Sequence, residues 1–329
     1  MRRHPNTMGR SNLTQPKRRI AYLTGTRADF GLMQSTLMRL DKDADIDLQV
    51  IVTGMHLSHR FGNTVDEIRL CDLSVCAEIY VDIDEETGSA MANNIAKIIS
   101  SCISVLKACK PDLMMLLGDR GEMLAGAIAA IHLNIPIIHI HGGERSGTVD
   151  EPVRHAISKL SHIHCVTNED AKERLIKMGE HEHCVHVTGA PGLDGITDQI
   201  TQKANTLTQS VGFSDEKPTA LMVFHPVLQD ADEAGAQVEA IIFSCLEAGV
   251  QLLCLMPNSD AGSGQIRDIL RAVESSDFIR LETHLHRSAF LNWIANCDFM
   301  IGNSSSGIIE AASFNKTVIN VGHRQNLRF

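Results

Sequence analysis

Short apolar runs alternate with longer amphipathic segments along most of the 329-residue chain. Each run is long enough for one strand, and the runs lie at 19–24, 48–53, 112–117, 136–140, 162–167, 220–224, 251–256, 278–281, 299–301 and 317–321. The segments with apolar residues at helical spacing lie at 88–107, 122–132, 231–248, 264–274, 288–296 and 307–314. Because strands without a polar face alternate with helices, the pattern predicts βαβ units and parallel sheets buried on both faces.

The alternation is interrupted once, near the middle of the chain. Residues 189–192 read Gly-Ala-Pro-Gly, which favours a turn, and residues 203–217 are polar and rich in Thr and Ser. We therefore predict an α/β fold of two doubly wound, Rossmann-like domains, 19–190 and 191–329, that face a cleft. In such folds ligands bind beyond the carboxyl ends of the strands, so functional residues are expected at the strand-to-helix junctions.

Composition excludes several other classes of protein. The formal charge of −10 argues against nucleic acid as the main partner, and no apolar run approaches the ~20 residues of a membrane span. The nine cysteines include no Cys-x-x-Cys pair, which is typical of a reducing compartment, so we expect a cytoplasmic protein. Residues 1–18 are basic and lack a secretory apolar core; we predict a disordered extension, with an organellar presequence as the alternative.

Three junctions in the first half carry unusual residues. The turn after the first run contains Gly25, Arg27 and Asp29 but lacks Gly-x-Gly-x-x-Gly, so it predicts no dinucleotide site. Arg27 suits a phosphate, although an ordinary turn with a surface Arg fits this segment equally well. Asp119 follows an apolar strand, where in isolation it is more often a helix cap.

The third junction, residues 139–155, is the richest in polar groups. It holds the strand-end pair His139 and His141, three glycines, two arginines, and the acids Glu144, Asp150 and Glu151. The His-x-His spacing is weak evidence for a metal, and we expect none. So many polar groups are not explained by packing, and the glycines suggest backbone brought close to a ligand, so we predict a functional site.

Two junctions in the second half are candidates for the same cleft. Pro226 ends a strand and leaves His225 at the cleft, where a structural and a functional histidine are equally plausible. The segment from Gly302 to Glu310 leads from a strand through three serines into a helix, so its free N–H groups predict an anion site, with a serine cap as the alternative. Asn258 and Asp260 follow a neighbouring strand and are expected to line the same pocket.

With these residues in place, the chain resembles the UDP-N-acetylglucosamine 2-epimerase family from about residue 19 to its end. The blocks that carry the resemblance are GTRADFGLM (25–33), LLGDRGEML (116–124), HIHGGERSGTVDEPVRHAISKLSH (139–162), TGAPGLD (188–194), HPV (225–227), PNSDAG (257–262) and GNSSSGIIEA (302–311). The resemblance implies the two-domain, GT-B-like fold that this family shares with many glycosyltransferases. It also implies no cofactor and a homo-oligomer, either dimer or tetramer.

Within the family, His-Ile-His-Gly-Gly-Glu followed by Val-Asp-Glu and Arg-His resembles the hydrolysing branch, whereas non-hydrolysing members carry His-Val-Glu-Ala-Gly-Leu-Arg there. The implied reaction converts UDP-N-acetylglucosamine and water to N-acetylmannosamine and UDP through a 2-acetamidoglucal intermediate. An alternative substrate within the branch is UDP-N,N'-diacetylbacillosamine, of the legionaminic acid pathway. A non-hydrolysing epimerase, a glycosyltransferase of the same fold and a non-catalytic nucleotide-sugar sensor are further alternatives.

The resemblance also assigns roles by position. Asp119, Asp150 and His225 match catalytic positions, and Glu151 adjoins them. Some members have Glu where this chain has His141, so either His141 or Glu144 takes the proton-transfer role. The expected substrate-binding residues are Gly25, Arg27, Asp29, Asn258, Asp260, Gly302, Ser304, Ser305, Ser306, Gly307 and Glu310, with Ser304, Ser305 and Glu310 matching the positions that hold diphosphate and ribose.

Family members continue for several tens of residues beyond the position of residue 329. On that resemblance we expect a truncated second domain with exposed apolar surface, a weaker clamp between the domains, low stability and reduced activity.

Overall fold

The computed structural model describes residues 16–328. The extension predicted for residues 1–18 therefore lies almost wholly outside the described residues, and the first strand begins at Arg18. The described residues after the strand Thr317–Asn320 return towards the first domain.

The first domain is built on a seven-stranded parallel sheet with the order β3-β2-β1-β4-β5-β6-β7. Its strands are β1 (Arg18–Thr24), β2 (Ile46–Thr53), β3 (Val75–Ile79), β4 (Leu113–Leu117), β5 (Ile137–Ile140), β6 (Ile163–Val166) and β7 (Val185–Val187). Its helices are α1 (Arg27–Asp41), α2 (Val65–Leu70), α3 (Gly88–Cys109), α4 (Gly121–His132), α5 (Asp150–Leu160) and α6 (Glu169–Lys177). Every strand pair is parallel, as expected when each strand is followed by a crossover.

The second domain repeats the plan on a smaller sheet with the order β10-β9-β8-β11-β12, again parallel. Its strands are β8 (Thr219–Val223), β9 (Gln251–Leu255), β10 (Ile279–Glu282), β11 (Phe299–Gly302) and β12 (Thr317–Asn320). Its helices are α7 (Ala204–Ser210), α8 (Ala234–Glu247), α9 (Ser263–Ala272), α10 (Arg287–Asn296) and the four-residue α11 (Ser306–Ile309). The predicted α/β class, with two Rossmann-like sheets that face a cleft, is confirmed.

All ten predicted strands are present, and the structure adds two that the sequence pattern missed. These are β3 and β7, which lie at the two edges of the first sheet. Strand β3 contains a glutamate, β7 has three residues, and both are partly exposed, so neither has the continuous apolar run that marks a central strand.

The predicted helix over 307–314 is wrong in its extent. The segment forms α11 and then a separate 3₁₀ turn, Ala311–Phe314. The predicted turn at Arg27 is likewise the start of a helix, since Thr26 caps α1 by accepting a hydrogen bond from the Asp29 N–H.

Helix α3 spans 22 residues and, among the described residues, is the one helix long and apolar enough to cross a membrane. Its Ile98, Cys102 and Leu106 are buried in the core between the helices and the sheet. The other faces of α3 are partly buried or exposed, so the helix packs one apolar face on the domain core.

Candidate functional site

One pocket lies between the two sheets, at the carboxyl ends of their strands. The predicted site residues that line it are Arg27, Asp29, Asp119, His141, Asp150, His225, Asn258, Asp260, Ser304, Ser305, Ser306 and Glu310. Five predicted residues do not line it: Gly25, Glu144, Glu151, Gly302 and Gly307. The pocket therefore brings together residues from both domains that are up to about 280 positions apart, from Arg27 to Glu310.

The turn before α1 is held by the Asp29 carboxylate. It accepts hydrogen bonds from the backbone N–H groups of Gly25 (3.1 Å) and Thr26 (2.9 Å), and the Thr24 hydroxyl also contacts it. Burial raises the Asp29 pKa to about 6, although these hydrogen bonds act in the opposite direction. Gly25 and Asp29 thus shape the turn that presents Arg27.

Arg27 is the first residue of α1, and its half-buried side chain lines the pocket. Its guanidinium forms no hydrogen bond or ion pair with a side chain within residues 16–328, although Glu67 and Glu310 lie close enough to raise its pKa. Burial outweighs them and lowers the pKa of Arg27. An arginine that is oriented but not paired is suited to binding an anion.

Asp119 follows β4 and pairs with Arg154 of α5. The Arg154 side chain is fully buried; one guanidinium nitrogen contacts the Asp119 carboxylate and another donates to the Glu144 carbonyl at 3.0 Å. The Asp119 side chain keeps 23% of its surface exposed. Arg154 therefore fixes one carboxylate oxygen and leaves the acid accessible from the pocket.

His141 sits in a strained backbone conformation at the end of β5, with a φ of 63°. It is buried, and burial lowers its pKa despite the nearby Glu144 carboxylate, so the imidazole is neutral near pH 7. Its Nδ1 lies 3.6 Å from Glu144 Oε1, and its Nε2 makes no hydrogen bond among the described residues. A neutral imidazole that lines the pocket with a free ring nitrogen is suited to proton transfer.

His139, the other member of the His-x-His pair, is committed to the fold. Its ring nitrogens bond to the Ser158 hydroxyl (3.0 Å) and the Gly118 carbonyl (2.7 Å). Neither nitrogen is therefore available as a metal ligand.

The structure places Glu144 and Glu151 behind the pocket wall. Glu144 is buried, accepts a hydrogen bond from the Thr167 hydroxyl at 3.0 Å and pairs with Arg328 at 2.7 Å. Glu151 accepts a hydrogen bond from the Ser146 N–H at 2.7 Å. Both acids thus stabilise the 141–149 loop and the groups around it.

Residues 323–328 return from β12 and contact the first domain. The Gly147 N–H donates to the Arg324 carbonyl at 3.2 Å, and the Arg324 guanidinium lies 3.5 Å from Asp150. Arg328, as well as pairing with Glu144, donates to Gln325 at 3.0 Å. This segment therefore supplies two arginines, Arg324 and Arg328, to the pocket lining, and it forms a contact between the two domains.

His225 follows β8, and its backbone is held by two hydrogen bonds of 2.8 Å with the Asn303 side chain. Burial, together with the nearby Arg324, lowers the pKa of His225 to about 3, and its Nδ1 has no hydrogen-bond partner among residues 16–328. The neutral ring is suited to a ligand hydrogen bond.

A second group of charges crosses the cleft beside His225. Asp260 lies 3.3 Å from Arg120 of the first domain and contacts the Asn258 amide. Burial raises the pKa of Asp260, but the charges of Arg120 and Arg324 have the larger combined effect and lower it. The carboxylate is therefore ionised. Asn258 and Asp260 therefore order the pocket wall and join the two domains.

The serine segment after β11 is arranged around its own hydrogen bonds. The Ser304 and Ser306 hydroxyls lie 2.8 Å apart, and the Ser306 N–H donates to Ser304 at 3.3 Å. Since α11 has four residues, its macrodipole is small, and donors from the turn are the main attraction for an anion. Glu310 is buried and paired with Arg287, which also donates to the Gly192 carbonyl at 2.8 Å.

The two glycines of this segment serve packing. A Cβ at Gly302, whose φ is 136°, would lie 2.1 Å from the Val223 carbonyl oxygen, and one at Gly307 would lie 2.9 Å from a Val318 methyl. A side chain at Gly302 would displace β8, and one at Gly307 would press on the Val318 side chain of β12.

No sequence pattern singled out the arginines that organise the site: Arg120, Arg154, Arg287, Arg324 and Arg328. Arg120 and Arg154 lie inside the quoted blocks, but their partners are set by tertiary packing. The polar run 323–328, with two arginines and a glutamine, was the one feature of the sequence that could have indicated Arg324 and Arg328 as site residues.

Comparison with known proteins places this geometry in a family. Residues 38–329 match the family model described as UDP-N-acetylglucosamine 2-epimerase. A UDP-N,N'-diacetylbacillosamine 2-epimerase (hydrolyzing) from Legionella pneumophila is 51% identical over 94% of this chain and 82% of its own length. A UDP-N-acetylglucosamine 2-epimerase from Neisseria meningitidis serogroup B is 36% identical over 94% of this chain and 81% of its own length.

The fold has a counterpart among solved structures. The crystal structure of UDP-GlcNAc 2-epimerase from Neisseria meningitidis bound to UDP-GlcNAc superposes with a TM-score of 0.77, at 21% identity, over 92% of this chain and 82% of that one.

Proposed function

Because the chain belongs to the hydrolysing branch of the UDP-N-acetylglucosamine 2-epimerase family, we propose that it converts UDP-N,N'-diacetylbacillosamine and water to UDP and the free 2-epimerised sugar. The choice of substrate rests on the 51% identity with the Legionella enzyme named for that activity. One observation supports the catalytic proposal. The pocket is lined by Arg27, which has no side-chain partner within residues 16–328, by the Asp119 and Asp150 carboxyl groups, and by neutral His141.

The proposed reaction has two halves. A base removes the C2 proton while the bond between C1 and the UDP oxygen breaks, which gives UDP and a 2-acetamidoglucal. Water then adds its hydroxyl to C1, and a proton returns to C2 from the opposite face. Two proton-transfer groups on opposite sides of the sugar are therefore required.

The nucleotide is assigned to the wall formed by the second domain and α1. Arg27 and the Ser304–Ser306 turn supply positive charge and donors to the diphosphate, which stabilises the charge that develops as UDP leaves. Arg287 contacts one carboxylate oxygen of Glu310, so the other oxygen can accept hydrogen bonds from the ribose hydroxyls. This arrangement favours substrates that carry a nucleoside diphosphate.

The sugar is assigned to the first-domain wall, where Asp119, His141 and Asp150 line the pocket from three different elements. Arg154 holds the Asp119 carboxyl group in place, which suits a base. Within the described residues the Nε2 of neutral His141 has no hydrogen-bond partner, which suits a group that accepts a proton and returns it. Asp150, at the start of α5, lies beside Arg324. We assign the two proton transfers to members of this set.

UDP-N-acetylglucosamine is the second candidate substrate, because a relative named for that substrate is 36% identical over 94% of the chain. The two sugars differ at C4 and C6, where one carries an acetamido and a methyl group and the other two hydroxyls. Pocket residues Met55 and Phe61 are apolar and suit a methyl group better than a hydroxymethyl group.

A direct competition tests the substrate. The purified protein is incubated with each UDP-sugar, and UDP release is measured as kcat/KM. We expect kcat/KM for UDP-N,N'-diacetylbacillosamine to exceed that for UDP-N-acetylglucosamine by at least tenfold. The reverse preference would overturn the substrate, and binding of both without UDP release would overturn the enzymatic proposal.

A further inference from the structure

A cluster of two histidines and one glutamate joins the two domains at the edge of the pocket, whose lining includes Glu67 and His284. Glu67 belongs to α2 of the first domain, whereas His284 and His286 lie between β10 and α10 of the second. One ligand atom from each residue lies within 4.8 Å of the others. These residues have no part in the nucleotide or proton-transfer roles assigned above.

The geometry points to a site for a divalent transition-metal ion, of which Zn²⁺ is the representative, bridging the two domains through Glu67, His284 and His286. Zinc prefers imidazole nitrogens and carboxylate oxygens, and two histidines with one glutamate and an open fourth position form a known type of zinc site. From the spacing of His139 and His141 the sequence predicts no metal, and the Glu67, His284 and His286 cluster is a separate set of residues.

The distance from His286 to Glu67 fits such an ion, whereas the His284 ring must move away from Glu67 to admit it. Zinc-to-ligand bonds of about 2.0–2.2 Å place two ligand atoms of a tetrahedral site about 3.3–3.6 Å apart. His286 Nδ1 lies 3.4 Å from Glu67 Oε1, His284 Nε2 contacts the same oxygen, and the two rings lie 5.0 Å apart at 71°. The nitrogens thus approach one oxygen from two directions.

The glutamate oxygen lies between the two rings. Glu67 Oε1 is buried, and within the described residues its close polar neighbours are the His284 and His286 nitrogens. A bound cation would satisfy this oxygen and separate it from the His284 nitrogen. The His286 side chain is 68% exposed, so the site has an entry path and room for a water ligand.

The surrounding charges set the expected strength of binding. With neutral imidazoles the three ligands carry one negative charge, but Arg27 lies close enough for Glu67 to influence its pKa. This nearby positive charge reduces the affinity for a cation, so we expect a micromolar dissociation constant. Because the ligands come from both domains, the ion holds the cleft closed and slows turnover.

Cobalt serves as the spectroscopic probe. The metal-free protein, after dialysis against a chelator, is titrated with Co²⁺ alone and then with Zn²⁺. We expect one Co²⁺ per chain with tetrahedral ligand-field absorption in the visible range, and loss of that absorption when Zn²⁺ displaces it. His286→Gln and Glu67→Gln should each weaken the Co²⁺ signal at least tenfold.

The matched control is the exposed pair His181 and His183, which has the same His-x-His spacing and stacked rings 5.5 Å apart. The double variant His181→Gln, His183→Gln should keep the full Co²⁺ signal. Absence of tetrahedral Co²⁺ absorption in the unmodified protein, or equal absorption in His286→Gln, would overturn the proposal.

Turnover gives an independent readout. Zn²⁺ should lower the turnover of the unmodified protein reversibly, with recovery on addition of chelator. His286→Gln, which changes a residue outside the pocket lining, should keep its basal turnover and resist inhibition. Equal inhibition of both proteins would show that the metal acts elsewhere and would overturn the bridging role.

Discussion

Replacement of Asp119 by Asn separates its chemical role from its contribution to stability. Proton transfer by a positioned side chain contributes about 10²–10⁴-fold, so we expect Asp119→Asn to lower UDP release by at least ~100-fold. Since the nucleotide is assigned to the opposite wall, the Kd for UDP should change by less than about threefold.

The stability effect follows from the Arg154 pair. Removing one partner of a buried ion pair costs about 3–5 kcal/mol. Arg154 is fully buried, but Asp119 is 23% exposed and the Asn oxygen still accepts a hydrogen bond. We therefore expect Asp119→Asn to lower the free energy of unfolding by about 2–3 kcal/mol.

The matched control is Asp170→Asn. Asp170 pairs with Arg174 at 2.8 Å, but 51% of its side-chain surface is exposed. We therefore expect Asp170→Asn to lower the free energy of unfolding by at most about 0.5 kcal/mol and to keep normal turnover. The measurements are urea unfolding, UDP calorimetry and UDP release. Turnover of Asp119→Asn within about threefold of the unmodified protein would refute the catalytic role, and a stability loss no larger than that of Asp170→Asn would refute the argument from burial.

Two further predictions concern the nucleotide and pH. Glu310→Ala should weaken UDP binding by about 10- to 100-fold in calorimetry, because hydrogen bonds to a charged group contribute about 1.5–3 kcal/mol; an unchanged Kd would exclude the ribose role. Burial lowers the pKa values of His56 and His139 to about 4 and of His225 to about 3, below the unfolded value of about 6.5, so the unfolded chain binds more protons. Asp29, with its pKa raised to about 6, acts oppositely, so these four groups together take up two protons on unfolding. The free energy of unfolding should therefore fall by up to about 2–3 kcal/mol per unit as pH drops from 6 to 4; a rise would contradict this.

The central strands and the junctions were predictable because both are local features of the sequence. A strand buried on both faces must be apolar throughout, and a parallel sheet gathers the junctions that follow its strands at one edge. The edge strands β3 and β7 lack that apolar run and were missed. Homo-oligomer formation and cytoplasmic location stay predictions.

The roles of individual side chains were less predictable, because partners come from distant parts of the chain. Glu144 was a candidate for proton transfer, but Arg328, 184 positions away, pairs with it behind the pocket wall. Asp119 fits a simple helix cap in the sequence, yet the structure pairs it with Arg154. Such pairings depend on tertiary packing, which no local pattern encodes.

Product analysis by NMR in D₂O tests whether the protein carries out elimination and hydration with inversion at C2. We expect UDP and a free sugar of the manno configuration, with one deuterium at C2 from the solvent. A free sugar that keeps its original configuration and its C2 proton, or an epimer still attached to UDP, would contradict it.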